Sequence, residues 1–243
     1  MVTEGFIDPR ALDGSLRALR ARIDATPLQD AFHATLDAAR SLFNATGAGV
    51  MLVDDGSMLR AVAATDARGY MLESRQEDTG EGPCVDALVT DRIVLCADLA
   101  SDPRWPRLQP DLPDSGVRAV LGVPVHAANV TVGSLNVYRD APHDWGETEI
   151  EALETYALLI ERLLVNALQA EHLSQLAEQL QHALDNRVVI ERAVGLIMGR
   201  EEVDAVTAFD RLRRMARSSE RRAAEVAAEI LEGRRDPRGV ALR

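Results

Sequence analysis

The first third of the chain changes from helical to strand-like periodicity. Apolar residues recur at helical spacing in a segment ending near Thr26, with Leu12, Leu16 and Leu19, and again from Leu28 to Phe43. Spacing of three and four residues predicts an amphipathic helix in each stretch.

Short apolar runs bounded by turn residues follow these two helices. Five runs predict strands: Ala48–Val53, Leu59–Ala64, Ile93–Ala97, Ala119–Val125 and Val130–Tyr138. The first two are joined by Asp54-Asp55-Gly56 and the last two by His126–Asn129, both of hairpin length. Hairpins inside and helices outside predict an α+β domain with a central antiparallel sheet flanked by helices.

A helical pattern without proline or glycine runs from Glu147 to about Arg187. Its first half has a wide apolar face suited to packing on the sheet, whereas its second half has a narrow heptad stripe among polar residues. The stripe favours a parallel dimeric coiled coil over a helix packed on its own sheet. Its predicted dimer-seam residues are Leu173, Leu176, Leu180 and Ala183.

Three short amphipathic helices are predicted at the end of the chain. They are Val188–Met198 closed by Gly199, Ala205–Arg217 capped by Asp204, and Glu220–Glu232 capped by Ser219 and closed by Gly233. The pattern as a whole predicts a helical arm (1–27), an α+β domain (28–165), a coiled-coil linker (166–185), an all-α three-helix domain (186–233) and a flexible tail (234–243).

The charges of the chain are unevenly distributed. All positive charges are arginine, and residues 1–185 carry 14 arginines against 29 acidic residues, whereas residues 186–243 carry 13 against 10. The net charge of −12 argues against non-specific nucleic-acid binding by the whole chain. The asymmetry predicts two modules with different partners.

The sequence contains no motif of a known catalytic centre. It lacks a nucleophile elbow, a phosphate-binding loop and a paired-histidine metal motif. Its two cysteines, Cys84 and Cys96, are too few for a disulfide framework or a structural zinc site. No apolar run is long enough to span a membrane, and the N-terminus lacks a secretory signal. We therefore expect a cytoplasmic protein with no catalytic residue, metal site or membrane partner.

The most specific motifs lie in the C-terminal quarter. They are residues 186–198 (NRVVIERAVGLIM), 208–216 (AFDRLRRMA) and 225–227 (EVA). These segments strongly resemble the ANTAR domain, a three-helix RNA-binding module that acts in bacterial transcription antitermination. One departure stands at Val194, where the family commonly has a lysine that would contact RNA.

The ANTAR resemblance implies a set of RNA-binding residues. They are Arg187, Arg192, Ala193, Gly195, Ala208, Arg211, Arg213, Arg214 and Ala216. Arginine suits phosphate pairing and stacking on unpaired bases, and small residues let RNA approach a helix closely. Composition alone leaves open that the arginines pair with nearby acidic residues on a solvated face.

A second set of motifs lies between residues 72 and 138. They are residues 72–87 (LESRQEDTGEGPCVDA), 104–106 (RWP), 116–118 (GVR), 123–125 (VPV) and 133–138 (GSLNVY). They resemble a GAF domain, and most closely the type fused to ANTAR in actinobacteria. The resemblance implies a central antiparallel sheet with helices and a role in binding a small ligand or in dimerisation.

The residues leave the GAF ligand and any cofactor unknown. A lysine-free chain lacks the Asn-Lys…Phe…Asp-Glu signature of cyclic-nucleotide GAF domains, and Cys84 lacks the Cys-x-His context of bilin attachment. His126 in a predicted turn and His33 on a helix do not suit a haem ligand. Cys84 is a candidate sensor, because a helix starting near Val85 would stabilise its thiolate. The other interpretation is a buried structural cysteine.

Together these features favour a homodimeric, signal-responsive regulator. Its GAF domain would sense a small-molecule or redox signal, and its ANTAR domains would bind stem-loops in a nascent transcript, two hairpins to a dimer. One alternative is a GAF dimer whose helical C-terminus is a protein-interaction module, with Val194 in an apolar patch. The other is helix-turn-helix DNA binding, although the short helices lack a clear recognition helix.

Overall fold

The computed structural model describes residues 5–23, 26–54, 59–111, 115–169 and 174–235. Eight helices lie in these ranges: α1 Pro9–Ile23, α2 Leu28–Leu42, α3 Ala67–Thr79, α4 Pro83–Thr90, α5 Glu147–Gln169, α6 Ser174–Glu201, α7 Ala205–Ser218 and α8 Ala223–Leu231. The five strands are β1 Gly47–Val53, β2 Leu59–Ala64, β3 Val94–Cys96, β4 Ala119–Ala127 and β5 Val130–Arg139. The chain divides into an N-terminal and a C-terminal unit at residues 170 and 171.

The N-terminal unit is built on a five-stranded sheet in the order β2-β1-β5-β4-β3. The pairs β1–β5, β4–β5 and β3–β4 are antiparallel. All seven positions of β1 are buried, and a strand buried on both sides needs cover on both faces of its sheet. Helices α3, α4 and α5 all contact the strands. The predicted α+β fold, a central antiparallel sheet flanked by helices, is confirmed.

The turn between β4 and β5 is tighter than the sequence predicts. Ala128 and Asn129 have φ of 49° and 64°, the left-handed pair of a two-residue hairpin turn. His126 therefore lies in β4, and its predicted place in the turn is wrong. Its imidazole nitrogens bridge Glu161 on α5 (Nδ1, 2.8 Å) and Asp91 after α4 (Nε2, 2.7 Å). Of the turn predicted after β1, only its first residue is described.

Helix α3 is not predicted by the hydrophobic pattern, because its buried side is largely polar. The buried residues are Gly69, Leu72, Glu73 and Gln76, so no apolar period marks the helix. Its ends are nevertheless well defined. The Asp66 side chain accepts from the Gly69 amide at 2.8 Å, and α3 ends where Gly80 adopts a φ of 68°.

Three helices, α6, α7 and α8, pack together in the C-terminal unit. The contact surfaces are apolar and mostly small, with buried Ile190, Ala193, Ile197, Ala208, Phe209, Leu212, Val226, Ala227 and Ile230. Asp204 caps α7 as predicted, since its side chain accepts from the Thr207 amide at 2.7 Å. Short helices with small contact residues thus bury a continuous core.

Two predicted helix ends in this unit are wrong. Helix α6 continues through Gly199, and the left-handed residue that follows it is Glu202, with a φ of 53°. Ser219 ends α7, where its hydroxyl donates to the Met215 carbonyl at 2.7 Å, and α8 begins only at Ala223. Helix α6 also continues unbroken through the predicted boundary between the linker and the first short helix.

The predicted dimer seam falls at the start of α6. Leu173 lies outside the described residues, and at Leu176, Leu180 and Ala183 the structure describes a helical backbone. The parallel coiled coil stays a prediction.

Candidate nucleic-acid interface and sensor site

The nine predicted RNA-binding residues fall into a buried group and an accessible group. Buried inside the C-terminal unit are Arg187, Ala193, Ala208, Arg213 and Ala216. Exposed or half-buried are Arg192, Gly195, Arg211 and Arg214. The small residues of the first group serve helix packing, and its members do not reach a ligand in this conformation.

Arg187 is a structural arginine that joins two helices. Its side chain is almost fully buried, its Nε donates to Glu191 Oε1 at 3.0 Å, and its guanidinium lies 5.9 Å from the ring centroid of Phe209 on α7. The ion pair therefore orients Arg187 within α6, and the cation–π contact with Phe209 joins α6 to α7. Arg213 on α7 is 4% exposed. Burial argues against direct RNA contact by either arginine.

Four residues form one exposed stripe along α6: Val188, Arg192, Gly195 and Gly199. Their spacings of four, three and four residues place them on one side of the helix. Val188 is 37% exposed, and a Cβ added at either glycine would meet no heavy atom of its surroundings within 4 Å. The α6 stripe is therefore a place where another molecule can approach the helix backbone closely.

Arg192 supplies the positive charge of the α6 stripe. Within the described ranges it has no ion-pair partner, whereas other arginines of the C-terminal unit are paired, among them Arg211 with Glu201, Arg214 with Asp210, and Arg221 with Glu225. The alternative to RNA binding, in which the arginines pair with nearby acidic residues on a solvated face, thus fits Arg211, Arg214 and Arg221 but not Arg192. An unpaired guanidinium beside bare helix backbone suits a phosphate or a base.

Val194 belongs to the interior of the C-terminal unit. It is 8% exposed, so it forms no apolar surface patch. The protein-interaction alternative, which places Val194 in such a patch, loses that support.

A second group of polar side chains is buried in the N-terminal unit, and we call it the buried polar cluster. Its members are Glu73 and Gln76 on α3, Cys84 on α4, and Ser134 and Asn136 on β5. Each is 2% exposed or less. Ser134 and Asn136 are two residues apart, so they share one face of the strand.

Part of the buried polar cluster is satisfied internally. Gln76 Nε2 donates to Cys84 Sγ at 3.0 Å, and the Cys84 amide donates to Gln76 Oε1 at 2.8 Å. By contrast, both carboxylate oxygens of Glu73, both amide atoms of Asn136 and the Ser134 hydroxyl have no hydrogen-bond partner in the described part of the chain. A buried polar group without a partner costs about 1–3 kcal/mol.

Two glycines bring the sheet close to this cluster. Asn136 on β5 is paired with Gly49 on β1 and with Gly122 on β4. A Cβ at Gly49 would overlap the Glu73 carboxylate, and a Cβ at Gly122 would lie 3.0 Å from Asn136 Oδ1. The glycines thus leave the room that the two polar side chains occupy.

Burial controls the titration of the cluster. It raises the pKa of Glu73 well above its usual range, and the nearby Asp66 adds to the rise. Burial and Glu73 likewise raise the pKa of Cys84, which outweighs the predicted stabilisation of a thiolate at the start of α4. Burial also raises the pKa of Cys96 to about 12. Both thiols are protonated at neutral pH, in line with structural cysteines.

The matches to known families follow this division of the chain. A model of the GAF domain matches residues 27–164, and a model of the ANTAR domain matches residues 178–231. The chain belongs to the GAF family and carries an ANTAR domain after it. Both resemblances noted in the sequence are thereby confirmed, and the α6 stripe lies within the ANTAR match. No curated protein is significantly similar to the chain.

Solved structures share the GAF fold at low identity. The GAF domain of a phosphoenolpyruvate-protein phosphotransferase from Coxiella burnetii has a TM-score of 0.54 and 19% identity, covering 65% of this chain and 95% of that one. The corresponding Acinetobacter domain has a TM-score of 0.53 and 18% identity, and the match covers 66% of this chain and 96% of that one. Free methionine-R-sulfoxide reductase from Neisseria meningitidis, solved with its substrate, has a TM-score of 0.51 and 18% identity, and the match covers 69% of this chain and 97% of that one. Identities this low show a common fold alone.

None of the helices in the described residues is long and apolar enough to cross a membrane. No group of three or more histidine, cysteine, aspartate or glutamate side chains in the same ranges is placed to hold a metal ion.

Sequence reasoning missed Glu73, Gln76 and Asn136, although all three lie within the quoted GAF motifs. Nothing in their spacing shows that they are buried. The available signal is the alternation of Ser134, Asn136 and Tyr138 along β5, which places three polar side chains on one face of a central strand.

Replacing Arg187 tests its structural role in the ANTAR unit. We expect Arg187→Ala to lower the free energy of unfolding of this unit by about 2 kcal/mol, because it removes a buried contact between α6 and α7. Arg192→Ala on the same helix is the matched control and should change the free energy of unfolding by less than about 0.5 kcal/mol. Hydrogen exchange of the α7 amides measures this free energy in both variants. Equal effects would contradict the assignment.

The cysteines offer a test of burial. At pH 8 we expect a thiol-reactive dye to label neither Cys84 nor Cys96 appreciably in the folded protein, and to label both after denaturation, because raised pKa values and burial suppress the thiolate. A Cys introduced at exposed Ser101 should react promptly and serves as the control. Rapid labelling of native Cys84 would show that it is a reactive thiol after all.

Proposed function

We propose that this protein is a cytoplasmic regulator that acts by transcription antitermination, with its ANTAR unit binding stem-loop RNA and its GAF unit sensing a signal. The observation that supports RNA binding best is the α6 stripe. It combines Arg192, which has no ion-pair partner among the residues that the structure describes, with two glycines that leave the helix backbone open. The C-terminal residues 186–243 also carry 13 arginines against 10 acidic residues in an otherwise acidic chain.

In this proposal the α6 stripe binds RNA through close contacts that fit its shape, and not only through the attraction of positive charge for phosphate. Gly195 and Gly199 allow a sugar-phosphate backbone or a splayed base to lie against the helix, and Arg192 pairs or stacks with it. Arg211 and Arg214 on α7, which are half-buried and exposed, would serve as secondary contacts. Arg187 and Arg213 contribute indirectly, by holding the helices that display the α6 stripe.

The regulatory part of the proposal is a homodimer. The heptad stripe at the start of α6 would join two chains, so that two ANTAR units hold two hairpins of one transcript. The second hairpin then binds at a raised effective concentration. An antiterminator structure stabilised in this way would replace a terminator. The GAF unit would couple a small-molecule or redox signal to this state.

Gel-shift titration of an RNA with two tandem hairpins tests the interface. We expect Arg192→Ala to weaken binding by about 1–3 kcal/mol, since it removes a stacking or phosphate contact of the α6 stripe. Arg20→Ala, at an exposed arginine of α1, is the control and should bind as the unmodified protein does. Equal losses in the two variants would show bulk electrostatics, and no loss in Arg192→Ala would refute the interface.

The dimer is tested with Leu176→Asp. A buried carboxylate in the proposed seam disfavours association, so native mass spectrometry should show a monomer, and affinity for the two-hairpin RNA should fall tenfold or more. Affinity for a single hairpin should stay unchanged. A monomeric variant that binds the two-hairpin RNA as tightly as the dimer would contradict the proposal.

A further inference from the structure

We propose that the buried polar cluster binds a small molecule with a cationic, hydrogen-bond-donating nitrogen group, held by the Glu73 carboxylate and the Asn136 amide. The ligand class is that of a small ammonium, amidinium or imidazolium compound. The proposal rests on the sensing role of the GAF unit proposed above. Its test uses no RNA, so it can fail independently of the ANTAR interface.

The unmet hydrogen bonds point to a ligand. Glu73 and Asn136 are each 98% buried, and none of their side-chain polar atoms finds a partner in the described residues. Buried polar atoms are nearly always paired in folded proteins, so each exception calls for an explanation. Two such side chains, one on α3 and one on β5, form a prepared site rather than a scattered defect.

The charge around Glu73 selects a cation. Its carboxyl faces Asp66, which is itself acidic, and the thiol of Cys84 and the hydroxyl of Tyr138, which bear no positive charge. The raised pKa of Glu73 favours its protonated form when no ligand is bound. A bound N–H cation would replace that proton, because it offers the ionised carboxylate hydrogen-bond donors and the opposite charge together. An anion would instead meet Asp66, which has the same sign, beside Glu73.

The side chains of the cluster lie close to the backbone of the sheet and of α4. The Glu73 carboxylate lies where a Cβ of Gly49 would stand, and the Pro83 carbonyl oxygen lies 3.8 Å from the Cβ position of Gly122. Helices α3 and α4 therefore cover the sheet closely at this point. Asn136, with one donor and one acceptor edge, would orient the bound group beside Glu73.

A ligand here would tie α3 to the central strand. Glu73 belongs to α3 and Asn136 to β5, and Gln76 already links α3 to α4 through Cys84. A ligand that binds the folded GAF unit and not the unfolded chain stabilises the unit by RT ln(1 + [L]/Kd), so the stabilisation grows with ligand concentration. That coupling makes thermal unfolding a direct readout.

Thermal unfolding of the full-length protein tests the proposal with four probes at equal ionic strength. Methylammonium, acetamidinium and imidazolium carry N–H donors, while tetramethylammonium has the charge without a donor. We expect at least one N–H cation to raise the Tm of the GAF unit by several degrees, with a shift that grows with the logarithm of its concentration, and tetramethylammonium to have no such effect. Glu73→Gln should raise the apparent Kd at least tenfold.

Two further variants complete the design. Asp78→Asn, at an exposed carboxylate of the same helix, is the control and should retain the full Tm shift. Asn136→Ala is expected to lose the shift, and it replaces Glu73→Gln if that variant does not fold. The proposal is overturned if no N–H cation shifts the Tm, if tetramethylammonium shifts it equally, or if the shift persists unchanged in the folded cluster variants.

Discussion

The packing of α6 against α7 and α8 decides which side chains of the ANTAR unit can meet another molecule. Ile190, Ala193 and Ile197 fill the side of α6 that faces the other two helices, and Arg187 lies in the same interface against the ring of Phe209. The opposite side of α6 is exposed, and it carries Arg192 between Val188 and Gly195. The proposed RNA surface follows from this division.

The GAF unit is governed by a different constraint, the cost of burying polar groups. Its central strands are covered on both faces, yet Ser134 and Asn136 lie on β5 and Glu73 lies against Gly49. An apolar core at these positions would be more stable. Retaining polar side chains there lowers stability and leaves groups that a ligand can satisfy, which is the compromise expected of a sensor.

Periodicity predicted the elements whose buried side is apolar. The strands and α2 were predicted within a few residues, and the Asp204 cap was predicted from its residue type. Helix α3 escaped because Glu73 and Gln76 are polar whether buried or exposed. The burial of Arg187 and Arg213 was missed because a motif does not show on which side of a helix an arginine lies. Such sides are set by tertiary packing, which a single sequence does not display.

Site-specific photocross-linking can locate bound RNA on the surface of the protein. With p-benzoyl-phenylalanine in place of Val188 on the α6 stripe, we expect an ultraviolet-dependent covalent adduct to a labelled two-hairpin RNA. The same group in place of Tyr70, which is 43% exposed on α3 of the GAF unit, should give none. An adduct from position 70 but not from position 188 would contradict the account, since the RNA would then lie away from the α6 stripe.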